Sequence, residues 1–395
     1  MPTTLPLAGL VVARLADRLA TENVIYVASD EQRAAVVAAA LAAGVPAATV
    51  LHLPSSDALP GDATPASAAN TGRRLAALHA LHERGTARIA LVTTAEATAR
   101  LYPPPAAFAG MLPTLAYGDD GAVDAVAAVL RDIGYADDER VDEPGTIAVR
   151  GATIDVFPAD ADLPARLEFD DGRITAIRRF DPITQLTTEA IDCFGVGRID
   201  EPPLGAQPVL LFDHFADAAV ALDPDAAVRR DRFLGLVADI VRAEPGTRGG
   251  VAAAGDWDAA IAARDAIDLD AGDTRAVPRF VENKAPLRNL TRAASGVLAA
   301  GGRIVVLGAP RNVRFIGARL GKALKLEAQH AGSWADVRAA SPGTLTQLPM
   351  IVDAGWQEDG WFFLAAADIL GGRAQLDTAA PPAAIALTAA PGASW

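Results

Sequence analysis

Cysteine is nearly absent: of 395 residues only Cys193 is one, which excludes an internal disulfide framework and fits a reducing compartment. Basic side chains are scarce beside acidic ones. The 35 Lys and Arg against 49 Asp and Glu give a formal net charge of −14 and a pI near 4.8. A surface of that sign repels phosphate on average, so weak or no direct DNA binding is expected and a protein partner fits better. No uncharged apolar run approaches the roughly 18 residues of a membrane span, and Met1–Leu10 has neither the basic start nor the apolar core of a signal peptide. A soluble cytoplasmic protein without membrane contact is the expectation. A phosphate-binding loop is also missing. Gly317…Gly321-Lys322 has too few residues between its glycines and runs into Ala323, so the hydroxyl that would hold magnesium is lacking. Neither ATP hydrolysis nor a bound cofactor is expected.

What is present is a globular composition, 51% hydrophobic and 21% charged, in a chain too long for one core. The first stretch alternates strand-like apolar runs with helix-like segments: Val24–Ala28, then Glu31–Ala43 behind Ser29 and Asp30, then Ala47–Leu53. It continues through the helix Thr71–Arg84, the strand Arg88–Val92 and a short helix Thr94–Leu101 capped by Thr93 or Thr94. That βαβ rhythm predicts parallel α/β architecture. Pro103-Pro104-Pro105 stops it. A helix from Ala122 to Ile133 precedes strand-sized runs with turn signals, among them an Asp-Gly pair between Arg166–Phe169 and Arg173–Phe180 that reads as a hairpin. Beyond Pro202-Pro203 the pattern predicts a strand Val209–Phe212, a helix Ala226–Arg242 and a last α/β unit. That unit holds a helix from Pro286 to Ala300, the strand Arg303–Leu307, the helix Asn312–Leu324, and strands Met350–Val352 and Trp361–Leu364. The Ala/Pro-rich tail after Arg373 reads as a flexible end.

Three segments carry a family likeness. Arg150-Gly151-Ala152-Thr153-Ile154-Asp155-Val156-Phe157-Pro158, then Ala165-Arg166-Leu167-Glu168-Phe169, then Phe180-Asp181-Pro182-Ile183-Thr184-Gln185 give RG-x₃-D-x-FP, R-L-E-F and FD-x-x-T-Q elements in sequence. Upstream, Pro54–Pro60, Asp62, Pro65 and Arg73-Arg74-Leu75 form a second match. Asn283–Leu287 and Asp368-Ile369-Leu370-Gly371 form a weaker third. On these residues the chain resembles the UvrB-homology region of bacterial transcription-repair coupling factors, itself related to UvrB. The resemblance implies a degenerate helicase-like parallel α/β lobe, 1a over 1–117 and 1b over 201–285. It also implies an inserted α+β domain 2 over 118–200 and a small C-terminal α/β domain 3 over 286–374, with the tail 375–395 beyond. It implies a non-catalytic module without the family's polymerase-binding and motor domains, docked through domain 2 onto the damage sensor UvrA. RNA polymerase or a motor chain would be reached only indirectly.

In that family the arginine before the glycine and the arginine of the R-L-E-F strand are interface residues. They map to Arg150 and Arg166, with Gly151 and Asp170 beside them, as the candidate protein-binding set. Forked guanidiniums suit carboxylate partners, and two on neighbouring strands could form one basic patch. The plainer alternative pairs them with Asp155, Glu168 or Asp170 on a solvated face, where they contribute little. Phe157 and Phe169 read as core anchors. Asp170 stands where the family has a second phenylalanine. That substitution leaves open a degenerate paralogue that binds another protein or a separate motor chain.

Several other signals are weighed and set aside. Asp213 and Asp353 end strand-like runs and read as turn residues, while His79 and His82 read as surface histidines without a third metal ligand. Arg229, Arg230 and Arg232 read as a solvated helix face. No catalytic or metal-binding residues are expected.

Overall fold

The computed structural model describes residues 5–374 apart from 61, 63, 110–111, 244–249 and 271. The predicted tail 375–395 lies outside the described residues, and the rest forms three principal sheets of mixed α/β architecture. The first is parallel, in the order Ala218–Leu222, Asn23–Ala28, Ile89–Thr94, Thr49–His52. Its central strands are apolar over nearly their whole length, as expected of strands covered on both faces. Helices Ala8–Leu19 and Glu31–Gly44 pack on one face, and Ala68–His82 and Ala254–Ala262 on the other. Asp30 caps the second of these helices by accepting the Arg33 backbone N–H at 2.8 Å, and Thr94 caps the short helix Ala95–Thr98.

The chain leaves this lobe after Leu101–Tyr102 and builds a second sheet. It then returns through Val209–Leu210, which pairs antiparallel with Leu101–Tyr102, before Ala218–Leu222 completes the first sheet. The second sheet runs in the order Thr187–Ala190, Arg173–Phe180, Ala165–Asp170, Thr153–Val156, Thr146–Arg150, Ala136–Asp137. Helix Val123–Asp132 covers one of its faces, over Ile147, Ile154, Leu167, Phe169, Ile174 and Ile177. The predicted Asp-Gly hairpin is present. Asp171 and Gly172 both take positive φ, +46° and +73°, the backbone of a type I′ turn, which matches the twist of the flanking strands.

The third sheet has the order Arg275–Ala276, Trp356–Glu358, Trp361–Ala365, Arg303–Leu307, Leu345–Leu348, Ala328–His330. It begins upstream of residue 286. Helices Pro286–Ala299 and Pro310–Leu324 cover one face. The other face shares one continuous core with helix Ala8–Leu19, in which Trp334, Trp356 and Trp361 stack around Phe363 at centroid distances of 5.5, 4.3 and 5.5 Å.

Several expectations are corrected. Met350–Val352 is not a strand. The strand is Leu345–Leu348, and Pro349, which has no N–H for the ladder, ends it before Met350. The strand expected over Val209–Phe212 stops at Leu210, because Leu211–His214 turns into helix and Asp213 accepts the Leu210 N–H at 2.9 Å. Helix Ala8–Leu19 and strand Ala218–Leu222 were not predicted.

Candidate functional site

Strand pairing in the second sheet decides which side chains meet. Thr153 lies opposite both Arg150 and Glu168, and Arg166 lies opposite both Asp155 and Arg178. Paired residues share a face. Arg150, Thr153, Asp155, Arg166, Glu168 and Arg178 therefore stand on the side away from helix Val123–Asp132, while the alternating Ile154, Leu167 and Phe169 enter the core. Phe157 and Phe169 are both buried, as core anchors.

The two candidate arginines converge on a single acid. Asp155 is only 2% exposed. Arg166 meets it with a two-pronged fork, Nε to Oδ1 at 2.6 Å and Nη2 to Oδ2 at 2.8 Å, and its guanidinium lies 5.0 Å from the centroid of the buried Phe180 ring. Hydrogen bonding to that carboxylate raises the Arg166 pKa above its ordinary value. Arg150 approaches the same carboxylate at 3.5 Å and donates to the Glu139 carbonyl, with about half of its side chain open. Glu168 is taken by Arg178, which sequence reasoning missed although it sits on the same alternating face. Asp170 accepts from neither arginine. It is exposed at the strand end opposite Arg173. Gly151 is exposed in the turn after Arg150 at φ +60°, a conformation that favours glycine.

Arg150, Thr153, Asp155, Arg166 and Glu168 line a shallow depression of about 370 Å³, and Arg150 also borders an acidic rim of Asp137, Asp138 and Glu139. The face is thus a balanced row of alternating charges rather than a purely basic patch. Its edge is apolar. Ile183 and Leu186 are 80% and 69% exposed on the Asp181–Leu186 loop. Asp181 accepts from the Ile183 and Thr184 backbone N–H groups and the Thr184 hydroxyl, Gln185 donates to the Pro182 carbonyl, and Arg140 donates to the Pro182 and Ile183 carbonyls. Those bonds hold the loop in one shape. They also hold the Asp181 carboxyl below its usual pKa.

The residues weighed for catalysis have packing roles. Gly9 lies inside helix Ala8–Leu19. A Cβ there would meet the Trp356 ring at 2.4 Å. Gly317 and Gly321 lie within helix Pro310–Leu324, against Gln347 and the Leu326 carbonyl. The carboxyl ends of the central parallel strands are where open α/β sheets bind ligands. Here that position holds buried Asp223, which accepts from Tyr26 Oη, the Ser29 N–H and Arg33 Nε at 2.8, 2.8 and 2.6 Å. Burial above all, with the Asp223 charge beside it, raises the Tyr26 pKa.

His79 is buried, against its expected surface position, with Nδ1 3.1 Å from the Phe108 carbonyl oxygen. Arg230 is also buried, over Trp257 at 4.5 Å and paired with Asp231 and Asp258, so it is no solvated face. Among the described residues no cluster of three or more His, Cys, Asp or Glu could hold a metal. No helix among them is long and apolar enough to cross a membrane.

Comparison with known proteins points to the same sheet. Residues 114–197 match the family described as the UvrB interaction domain. The chain is 36% identical over 211 residues to the transcription-repair-coupling factor of Myxococcus xanthus, covering 52% of this chain and 17% of that protein. It is 32% identical over 197 residues to the same factor of Mycobacterium bovis, covering 48% and 16%. It is 38% identical over 87 residues to UvrABC system protein B of Cupriavidus pinatubonensis, covering 22% and 12%. The chain therefore spans less than a fifth of the length of these relatives. Residues 114–197 thus match the UvrB interaction domain, within a chain similar over about half its length to transcription-repair coupling factors and over a shorter stretch to UvrABC system protein B.

Proposed function

We propose that this chain is a non-catalytic docking module of DNA repair that binds a UvrA-like protein through the charged face of its second sheet. The observation that carries the reading is the coincidence of the match to the UvrB interaction domain, residues 114–197, with one sheet face bearing Arg150 and Arg166 on the two strands that flank Thr153–Val156. A half-open arginine beside a fixed one, next to two exposed apolar side chains on a braced loop, has the composition of an interface centre. The absence of catalysis is part of the proposal. Support comes from the Asp223 carboxylate seated at the sheet's ligand-binding end and from the helix that holds Gly9.

A second reading rests on Asp170. An exposed carboxylate in place of the family's phenylalanine repels an acidic partner surface and would cost affinity if it were enclosed unpaired. This face would then serve a different protein or a separate motor chain. Titration calorimetry of the chain against UvrA from the same organism separates the two. Saturable binding that weakens at least about tenfold, roughly 1.4 kcal/mol, in Arg150→Ala supports UvrA docking. Its absence, together with tight binding once Asp170→Phe is introduced, supports the altered surface.

A further inference from the structure

The charge of this chain is unevenly placed. Nine of its 35 basic side chains and none of its 49 acidic ones fall within residues 283–326. That segment builds helices Pro286–Ala299 and Pro310–Leu324, which lie together on the face of the third sheet turned away from the first lobe. The buried side of the second helix is Val313, Ile316 and Leu320. Its exposed side carries Arg311, Arg314, Phe315, Arg319 and Lys322, and Lys325 follows at the left-handed cap. These recur at three- and four-residue intervals, so they form one stripe along the helix, roughly 21 Å long at 1.5 Å per residue. Arg288 and Arg292 are exposed on the neighbouring helix, and Lys284 is exposed just before it.

Most arginines elsewhere in the chain meet a carboxylate, including Arg14, Arg33, Arg74 and Arg166. Among the described residues none pairs with Arg288, Arg292, Arg314, Arg319, Lys322 or Lys325. Six exposed cations on these two helices and the cap, Arg288, Arg292, Arg314, Arg319, Lys322 and Lys325, without a carboxylate partner among the described residues, suit an external polyanion.

We infer that this face of the third sheet docks on the phosphate backbone of duplex DNA, without reading its sequence. Duplex DNA presents one negative charge per roughly 1.7 Å of axis, a density that a row of arginines matches and an acidic protein surface does not. The Arg319 guanidinium covers one side of the exposed Phe315 ring at 4.7 Å. That leaves little platform for stacking the bases of a single strand. The inference is independent of the second-sheet face. It revises the expectation drawn from overall charge, because the acidic average conceals a basic surface.

The test is fluorescence anisotropy of the full chain with a labelled random duplex of about 30 base pairs, at salt from about 50 to 200 mM, where contact number sets the slope. The variant is Arg314→Gln/Arg319→Gln/Lys322→Gln, all exposed and outside the core, and Arg131→Gln/Arg173→Gln/Arg242→Gln is the charge-matched control. With about five phosphate contacts the wild-type affinity falls roughly 500-fold over that salt range. The variant loses at least about tenfold at low salt, and its slope of log K against log salt shrinks by about 2.7, or 0.9 per contact. The control stays within about twofold of wild type. No wild-type binding at low salt, an unaffected variant, or an equal loss in the control overturns the inference. So does polyglutamate or a single strand of the same length bound more tightly than the duplex.

Discussion

Arg166 is the residue whose removal tests the physical reading of the second sheet most sharply, because it serves both the fold and the proposed interface. In Arg166→Ala the carboxylate of Asp155, 2% exposed, keeps only Arg150 at 3.5 Å. Breaking a buried pair from one side costs about 3–5 kcal/mol. The Arg166 side chain is 28% open to solvent, so water screens part of that loss. About 2 kcal/mol is expected. Native-state hydrogen exchange reads it where it occurs: amides of Thr153–Val156 and Ala165–Asp170 exchange about 30-fold faster, at roughly 1.4 kcal/mol per tenfold. Removing the acid as well, in Asp155→Ala/Arg166→Ala, restores most of the protection, leaving about fivefold, because no buried charge stays unpaired. Arg150→Ala costs less than about 0.5 kcal/mol, since its pair is half solvated. If Arg166→Ala exchanges at the wild-type rate, or the double variant is worse than the single one, Asp155 does not depend on Arg166 and the argument fails.

Other positions yield further expectations. Gly9→Ala drives a methyl group to 2.4 Å from a Trp356 ring that is stacked on Phe363 and cannot retreat; destabilisation of about 1–3 kcal/mol follows and appears as a lower melting temperature, whereas an unchanged melt contradicts the packing. Asp223→Ala strands Arg33 and Tyr26 together and costs about 3–5 kcal/mol, measured by urea denaturation. Asp368 is buried, accepting the Gly355 and Ala365 N–H groups at 2.9 and 3.0 Å, and burial pushes its carboxyl up to about 6 from 3.8. The folded protein holds that proton more tightly than the unfolded chain. This group's contribution to stability therefore falls as pH rises from 3.8 to about 6 and stays low above. A carboxyl-carbon NMR titration of Asp368 should centre near 6; an ordinary aspartate midpoint would refute it.

The fold was legible where residue type and period agreed. Ile304–Leu307 is a continuous apolar run and strand Arg303–Leu307 forms there, and the Asp171-Gly172 pair turns as its chemistry requires. Where alanine dominated, legibility failed. Ala218–Leu222 has little strand propensity and is a strand because Asn23–Val27 pairs with it. Helix Ala8–Leu19 is buried on most sides and carries no side-chain N-cap signal. The candidate site was legible as an identity of residues but not as a state of charge. Pairing with Asp155 was one of the alternatives the residues offered, and that both arginines share this one buried acid follows from the register of three strands. The basic face was hidden in a different way, because a sum over the chain erases a local excess confined to two helices.

The most direct measurement is a hydrogen-exchange footprint of the whole chain with and without UvrA from its own organism, at saturating concentration. The account predicts added protection in Thr146–Arg150, in the turn through Thr153, and in Ala165–Asp170, with Asp181–Leu186 at its edge, and none on helix Pro310–Leu324. Protection confined to other elements, or no change anywhere under conditions in which UvrB is footprinted, would contradict docking through this face.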